Sequence, residues 1–185
     1  MSQNDISALE AERQQAALKW AFGLFLGVET IPFIVLFTLR YELDGWYVAP
    51  TVNQWMGALA AFVMLISIGT CMNSLRAIRK NHLCQMQRQM KWAAAIGGVY
   101  LALLIYEWSQ MFVPVGTRFG ETFYPTLGVS AFYTLAGIVG LSAVAIRSMR
   151  VDINSDSHWD VQAATWYWVF QGIVAIAMYM YLYWI

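Results

Sequence analysis

The chain has 185 residues, of which 59% are hydrophobic and only 12% charged, and its acidic and basic side chains balance to a formal net charge of zero. A water-soluble domain carries about a quarter charged residues, roughly twice this share, so an ordinary soluble domain is excluded. The charge balance leaves no basic footprint for nucleic acid, and a mean hydropathy of +0.51 points to lipid as the solvent.

Residues 1–17 are polar and helix-prone, with Glu10, Glu12, Arg13, Gln14 and Gln15 among them. No short apolar core ends there in a small-residue cleavage site, so the first apolar stretch is read as a span and not as a signal peptide. That stretch, Lys19–Arg40, predicts a first helix over about Trp20–Leu39. At about 1.5 Å per residue it is long enough to cross a bilayer. Glu29 lies in its middle, and a carboxyl at that depth is expensive unless it faces protein or water, which makes it a candidate functional residue. Pro32 follows closely and is placed to break the helix. Gly23 and Gly27 form a G-x-x-x-G pair of the kind that lets two membrane helices approach closely.

Further spans are predicted over about Gln54–Leu75, Trp92–Val113, Phe123–Ile146 and Val161–Trp184. The runs Gly45–Leu75, Thr122–Ile146 and Val161–Ile185 hold no charged residue, and each exceeds the length of about 20 residues that a span requires. The third span carries a second embedded carboxyl, Glu107, nearer one end. Trp20, Trp46, Trp55, Trp92, Trp108, Trp159, Trp166 and Trp184 stand near the ends of apolar runs, where interfacial aromatics belong. Lipid offers no partner to backbone groups, so all five spans are read as helices, and the two-residue alternation of an outer-membrane barrel is absent. The expected architecture is an all-α polytopic membrane protein, with a polar segment 1–17 and a single five-helix transmembrane domain over 18–185.

Orientation follows from the cations. Arg13, Lys19, Arg76, Arg79, Lys80, Arg88, Lys91, Arg147 and Arg150 fall on one side of the five spans, and only Arg40 and Arg118 on the other. The positive-inside rule then predicts a cytoplasmic N-terminus and an outside C-terminus. The basic loop Arg76–Lys91 serves first as this topology determinant, with contact to anionic headgroups a lesser reading.

Cys71 lies inside the second span and Cys84 in the basic loop, unpaired in sequence, and both are expected to be free thiols. His82 and His158 fall in loops and no histidine lies within a span. Haem held in a helical bundle takes axial His or Met from the helices. The ten methionines read more simply as flexible packing residues, so no haem and no bound redox metal are predicted for this chain. Phosphate-binding glycine loops, G-x-S-x-G and H-E-x-x-H are not present.

Four stretches carry a resemblance. Gly23, Leu24, Phe25, Leu26, Glu29, Phe33 and Phe37 form an acid-bearing aromatic helix. Gly98–Trp108 ends in an E-W pair, Gly120–Gly128 reads GETFYPTLG, and the last span holds Trp166, Tyr167 and Trp168 and closes on Tyr181, Tyr183 and Trp184. In this order they resemble subunit III of the haem–copper oxidases, the cytochrome c and quinol oxidase group, over nearly the whole chain after residue 18. The chain looks like the five-span form, without the first two helices of the seven-span form. It also departs from the family. The H-G-L-H-V that often follows the G-x-T-F-F entry is replaced by Ser130, Ala131, Phe132, Tyr133 and Thr134. The His and Asp that follow W-Y-W are replaced by Val169 and Gly172. With these customary partners gone, Ser130, Tyr133 and Gln171 become the candidate polar neighbours of Glu29.

The resemblance implies a non-catalytic subunit in the cell inner (plasma) membrane. It would pack beside catalytic subunit I and other oxidase subunits, which would hold the haem and copper. It would also bind phospholipids and support proton uptake and the durability of the neighbouring active site. Glu29 and Glu107 would be its lipid- or proton-related acids. Two alternatives stand beside this reading. One is a related accessory protein of nitric oxide reductase, which would account for the lost histidines. The other is a small proton-coupled transporter using Glu29 and Glu107; transporters repeat their broken helices, and no second break matches the one at Pro32.

Overall fold

A computed structural model describes residues 3–151 and 158–184; the first two residues of the polar segment, part of the loop between the last two spans and Ile185 lie outside the described residues. Six helices follow one another: α1 Gln3–Glu29, α2 Ile31–Asp44, α3 Gln54–Arg79, α4 Leu83–Gln110, α5 Arg118–Arg147 and α6 Trp159–Tyr183. No strand occurs among the described residues. Five stretches are long and apolar enough to cross a membrane, namely Glu12–Asp44, Gln54–Arg79, Leu83–Gln110, Arg118–Arg147 and Trp159–Tyr183. The fold is therefore all-α with five candidate spans, as the apolar runs predict.

The first span is two helices and not one. Pro32 has no N–H to give back to the preceding turn, so the regular ladder cannot pass through it. Thr30 closes α1 with a tight turn, its N–H donating to the Gly27 carbonyl at 3.2 Å. Its hydroxyl donates to the Leu26 carbonyl at 2.9 Å. The ladder resumes at Ile34, whose N–H bonds the Thr30 carbonyl at 3.1 Å.

The chain divides into two compact units, Met1–Val35 and Leu36–Ile185. The first is helical and presents large apolar side chains, Leu24, Phe25, Val28, Ile31 and Ile34, on its exterior. A Cβ added at Gly23 or Gly27 would meet no heavy atom within 4 Å among the described residues.

The second unit is a closed ring of four helices: α3 packs on α4, α4 on α5, α5 on α6 and α6 back on α3. Its ends are capped by side chains. Asn53 Oδ1 accepts from the Trp55 and Met56 N–H groups at 3.2 and 3.3 Å. Thr117 Oγ1 accepts from the Gly120 N–H at 3.1 Å. A turn at Lys80–His82 reverses the chain between α3 and α4, with Asn81 in the left-handed region at φ 58°, a conformation that asparagine tolerates better than most residues.

Lipid gives little hydrophobic drive for helix association, so close packing against small residues and interhelical hydrogen bonds hold such a ring together. Trp168 is its keystone. The indole is fully buried, and a Cβ added at Gly97 or Gly137 would fall 2.4 or 2.6 Å from it. Its Nε1–H donates to Ser67 Oγ at 3.0 Å, and the Ser67 hydroxyl donates on to the Ala93 carbonyl at 2.7 Å, tying α6, α3 and α4 together. Where α5 gives way to α6, Arg147 Nη1 meets Asp160 Oδ2 at 2.9 Å on the surface.

Candidate functional site

The polar side chains buried in the second unit gather into two clusters. The first lies at the centre of the bundle and joins α4, α5 and α6. Gln171 Nε2 donates to Thr134 Oγ1 at 2.9 Å and to the Ser130 carbonyl at 3.2 Å, and it lies 3.4 Å from Ser130 Oγ. The Tyr100 hydroxyl reaches Ser130 Oγ at 3.4 Å. Thr134 Oγ1 donates in turn to the Ser130 carbonyl at 2.8 Å, the one-turn back-bond of a buried threonine. Ser130, Thr134, Gln171 and Tyr100 are all buried, where such groups must be hydrogen-bonded to be tolerated. Gln171 Oε1 is the exception: it is buried and has no partner among the described residues.

The second cluster is Glu107 on α4 with Tyr183 at the end of α6. The Tyr183 hydroxyl donates to Glu107 Oε2 at 2.5 Å. Glu107 is only 6% exposed, so it does not reach into the headgroup layer along its own stem. Its short bond to Tyr183 supplies the polar partner that a carboxyl at this depth needs. Gln54 Nε2 donates to the Tyr183 carbonyl at 3.1 Å and fixes the end of α6 against the start of α3.

Of the side chains singled out by sequence, Ser130 and Gln171 meet directly. Tyr133 takes part through its backbone carbonyl, which accepts from the Tyr167 hydroxyl at 3.1 Å. Glu29 is the last residue of α1, is half-buried, and belongs to the first unit. Tyr100, Thr134 and Tyr183 were passed over. Thr134 stands one helical turn from Ser130 on α5, a spacing that places both on one face and is readable from sequence. Tyr183 stands out in the sequence only as part of the aromatic close of the last span.

Arg40, read from sequence as one of two outer cations, is fully buried. Its guanidinium is clasped between the Phe119 and Tyr181 rings, 4.9 and 4.8 Å from their centroids, an arrangement in which a cation is attracted to the ring faces. Its Nη2 donates to the Tyr47 carbonyl at 3.1 Å. The Tyr181 hydroxyl donates to the Phe37 carbonyl, joining α6 to α2.

The motifs that carry the resemblance have physical roles here. The third residue of W-Y-W is the buried Trp168, and the second is the Tyr167 that caps the Tyr133 carbonyl. Gly128, which ends GETFYPTLG, lies against Trp108 of the E-W pair, where an added Cβ would come within 2.7 Å of the indole. At the place of the family's aspartate, a Cβ on Gly172 would fall 2.0 Å from Ile68 Cδ1. The volume a carboxylate would take is filled by Ile68, and the polar side chain of this turn is the preceding residue, Gln171. Cys71 is a buried free thiol 3.7 Å from Thr165 Oγ1, and Cys84 is free and exposed. Among the described residues no three His, Cys, Asp or Glu side chains gather as a metal site requires.

Helical spans around a bundle stitched by buried polar side chains define the class: a multi-pass membrane protein of the all-α kind. No family model matches the chain. It is similar to proteins named cytochrome c oxidase subunit 3. The Locusta migratoria protein is 25% identical over 183 residues, covering 90% of this chain and 68% of the relative. That of Spodoptera frugiperda is 27% identical over 134 residues, covering 71% and 91%. That of Chondrus crispus is 23% identical over 189 residues, covering 92% and 67%. With the four motifs in order on the described helices, this similarity supports the resemblance to subunit III of the haem–copper oxidases along most of the chain.

Proposed function

We infer that the chain is a non-catalytic subunit III of a respiratory haem–copper terminal oxidase. The similarity to proteins named cytochrome c oxidase subunit 3 along nearly all of this chain carries the reading. Its partners are a catalytic subunit I and other oxidase subunits, which would hold the haem and copper, together with phospholipids of the surrounding bilayer. In this reading residues 18–185 act as one membrane domain in the cell inner membrane, with the N-terminus cytoplasmic. The buried clusters support the reading from the side of chemistry. They contain hydroxyls, an amide and a carboxyl, groups suited to packing and to holding protons. Glu29 serves this role as a local polar contact for lipid or a neighbouring helix.

The test is purification of the intact complex in mild detergent from the native membrane. A haem–copper oxidase catalytic subunit travelling with the chain is the expected result. Copurification with a nitric oxide reductase, or isolation as a stable monomer with transport activity in liposomes, would overturn the reading.

A further inference from the structure

Between the two buried clusters lies a small cavity of about 20 Å³, walled by Ala60 and Ala61 of α3, Tyr100 of α4, Leu127 of α5 and Tyr179 and Tyr183 of α6. A single water needs about 10–15 Å³ of such space and about two to four polar partners. Tyr100, Tyr179 and Tyr183 are the hydroxyl-bearing residues of its lining, and two of these hydroxyls already belong to the clusters: Tyr183 to Glu107, Tyr100 to Ser130. We propose that this cavity is a water site, and that its water joins the clusters into one hydrogen-bonded chain, Glu107–Tyr183–water–Tyr100–Ser130–Gln171, through which the protonation of Glu107 is felt at the centre of the bundle.

Hydroxyl groups rotate to suit their neighbours and serve as donor or acceptor, so such a chain has two polarities. With Glu107 ionised, the Tyr183 hydroxyl donates to Oε2, the water donates to the Tyr183 oxygen, Tyr100 donates to the water, and the Ser130 hydroxyl donates to Tyr100. One proton added to Glu107 forms one O–H bond and breaks none. The new carboxyl O–H donates to the Tyr183 oxygen, and each hydroxyl in turn swings the other way. Tyr100 then donates to Ser130 Oγ, the oxygen that Gln171 Nε2 meets at 3.4 Å, and the freed Ser130 proton reorients beside an amide whose Oε1 is buried without a partner among the described residues. No heavy atom has to travel. The ionisable groups facing this path are Tyr100 on α4 beside Glu107 itself, and Tyr179 and Tyr183 on α6. The α3 wall is made of small apolar residues, and on α5 the Tyr124 hydroxyl is held by the Val113 carbonyl at 2.7 Å. No charged side chain lines the cavity. This inference does not rest on the oxidase reading, and its test does not use a partner protein.

The full-length chain in lipid nanodiscs is titrated under infrared observation, with glutamine side chains isotopically labelled. Glu107→Gln identifies the carboxyl band by its loss, and Gln171→Leu identifies the Gln171 amide band in the same way. The expected result is a Gln171 amide band that shifts in step with protonation of Glu107. Tyr100→Phe touches neither end of the chain and removes one hydroxyl; it is expected to abolish the shift while leaving the carboxyl band in place. Ala61→Val narrows the cavity and is expected to do the same by expelling the water. Should Ala61→Val not fold, Tyr100→Phe decides alone, with a thermal melt as the control for its fold. An amide band that is indifferent to Glu107, or one that shifts undiminished in Tyr100→Phe, overturns the proposal.

Discussion

Glu29 and Glu107 are the two carboxyls set within apolar spans, and their surroundings differ at every level. Glu29 ends a helix at a break made by Thr30 and Pro32, in a unit whose large apolar side chains face outward. Within that unit no described side chain donates a hydrogen bond to it. Glu107 is enclosed by helices, bonded to a tyrosine from another helix, and separated from a second polar cluster by a cavity of one water's size. An acid left at a helix break draws its neighbours from outside its own unit, whereas an acid walled in by its own bundle must be satisfied within it. The first is an expected contact for lipid or partner, the second an internal element of the bundle.

The sharpest way to break this contrast is to dissolve the enclosure. Trp168→Ala removes the buried ring that fills the space over Gly97 and Gly137, and is expected to destabilise the bundle by about 3–5 kcal/mol, read by reversible unfolding in mixed micelles. Gly172→Asp restores the family's carboxylate where Ile68 now lies. Overpacking alone is expected to cost about 1–3 kcal/mol, and combining it with Ile68→Ala should recover part of the loss in the same assay.

The comparison of the two acids themselves comes next. Glu107→Leu leaves the buried Tyr183 hydroxyl without its acceptor and should lower stability by about 1–3 kcal/mol. Glu29→Leu, by contrast, should change unfolding by no more than about 0.5 kcal/mol. If the two variants lose equal stability, the distinction between an internal and an external acid fails. Glu29→Gln is expected to leave assembly intact, and Glu29→Leu to reduce retained phospholipid or to shorten the catalytic lifetime of the complex, measured by lipid analysis after purification and by long-term turnover. The smallest effect is at the surface. Arg147→Ala removes an exposed ion pair with Asp160 and should cost less than about 1 kcal/mol, a difference that high salt erases.

Much of the fold was legible because the bilayer imposes one length and one secondary structure. The apolar runs located all five spans. The break at Pro32 was legible from the missing N–H, which no context restores. The depth of Glu107 was less so: its place near a span end suggests a carboxyl reaching for headgroups, and the fold instead encloses it with Tyr183. Gly23 and Gly27 had the spacing of a packing motif, yet the close approaches among the described residues fall at Gly57, Gly97, Gly120, Gly128, Gly137 and Gly172.

Composition and order of residues alone thus determined the lipid environment, the number and rough extent of the spans, the two embedded acids and the family whose motifs lie along the chain. Tertiary structure decided which side chains meet. Hydropathy cannot tell the face of a membrane helix that touches lipid from the face that touches protein, because both are apolar. Only the packing of α3 to α6 brings Gln171 to Ser130, Tyr183 to Glu107, and the aromatic clasp to Arg40.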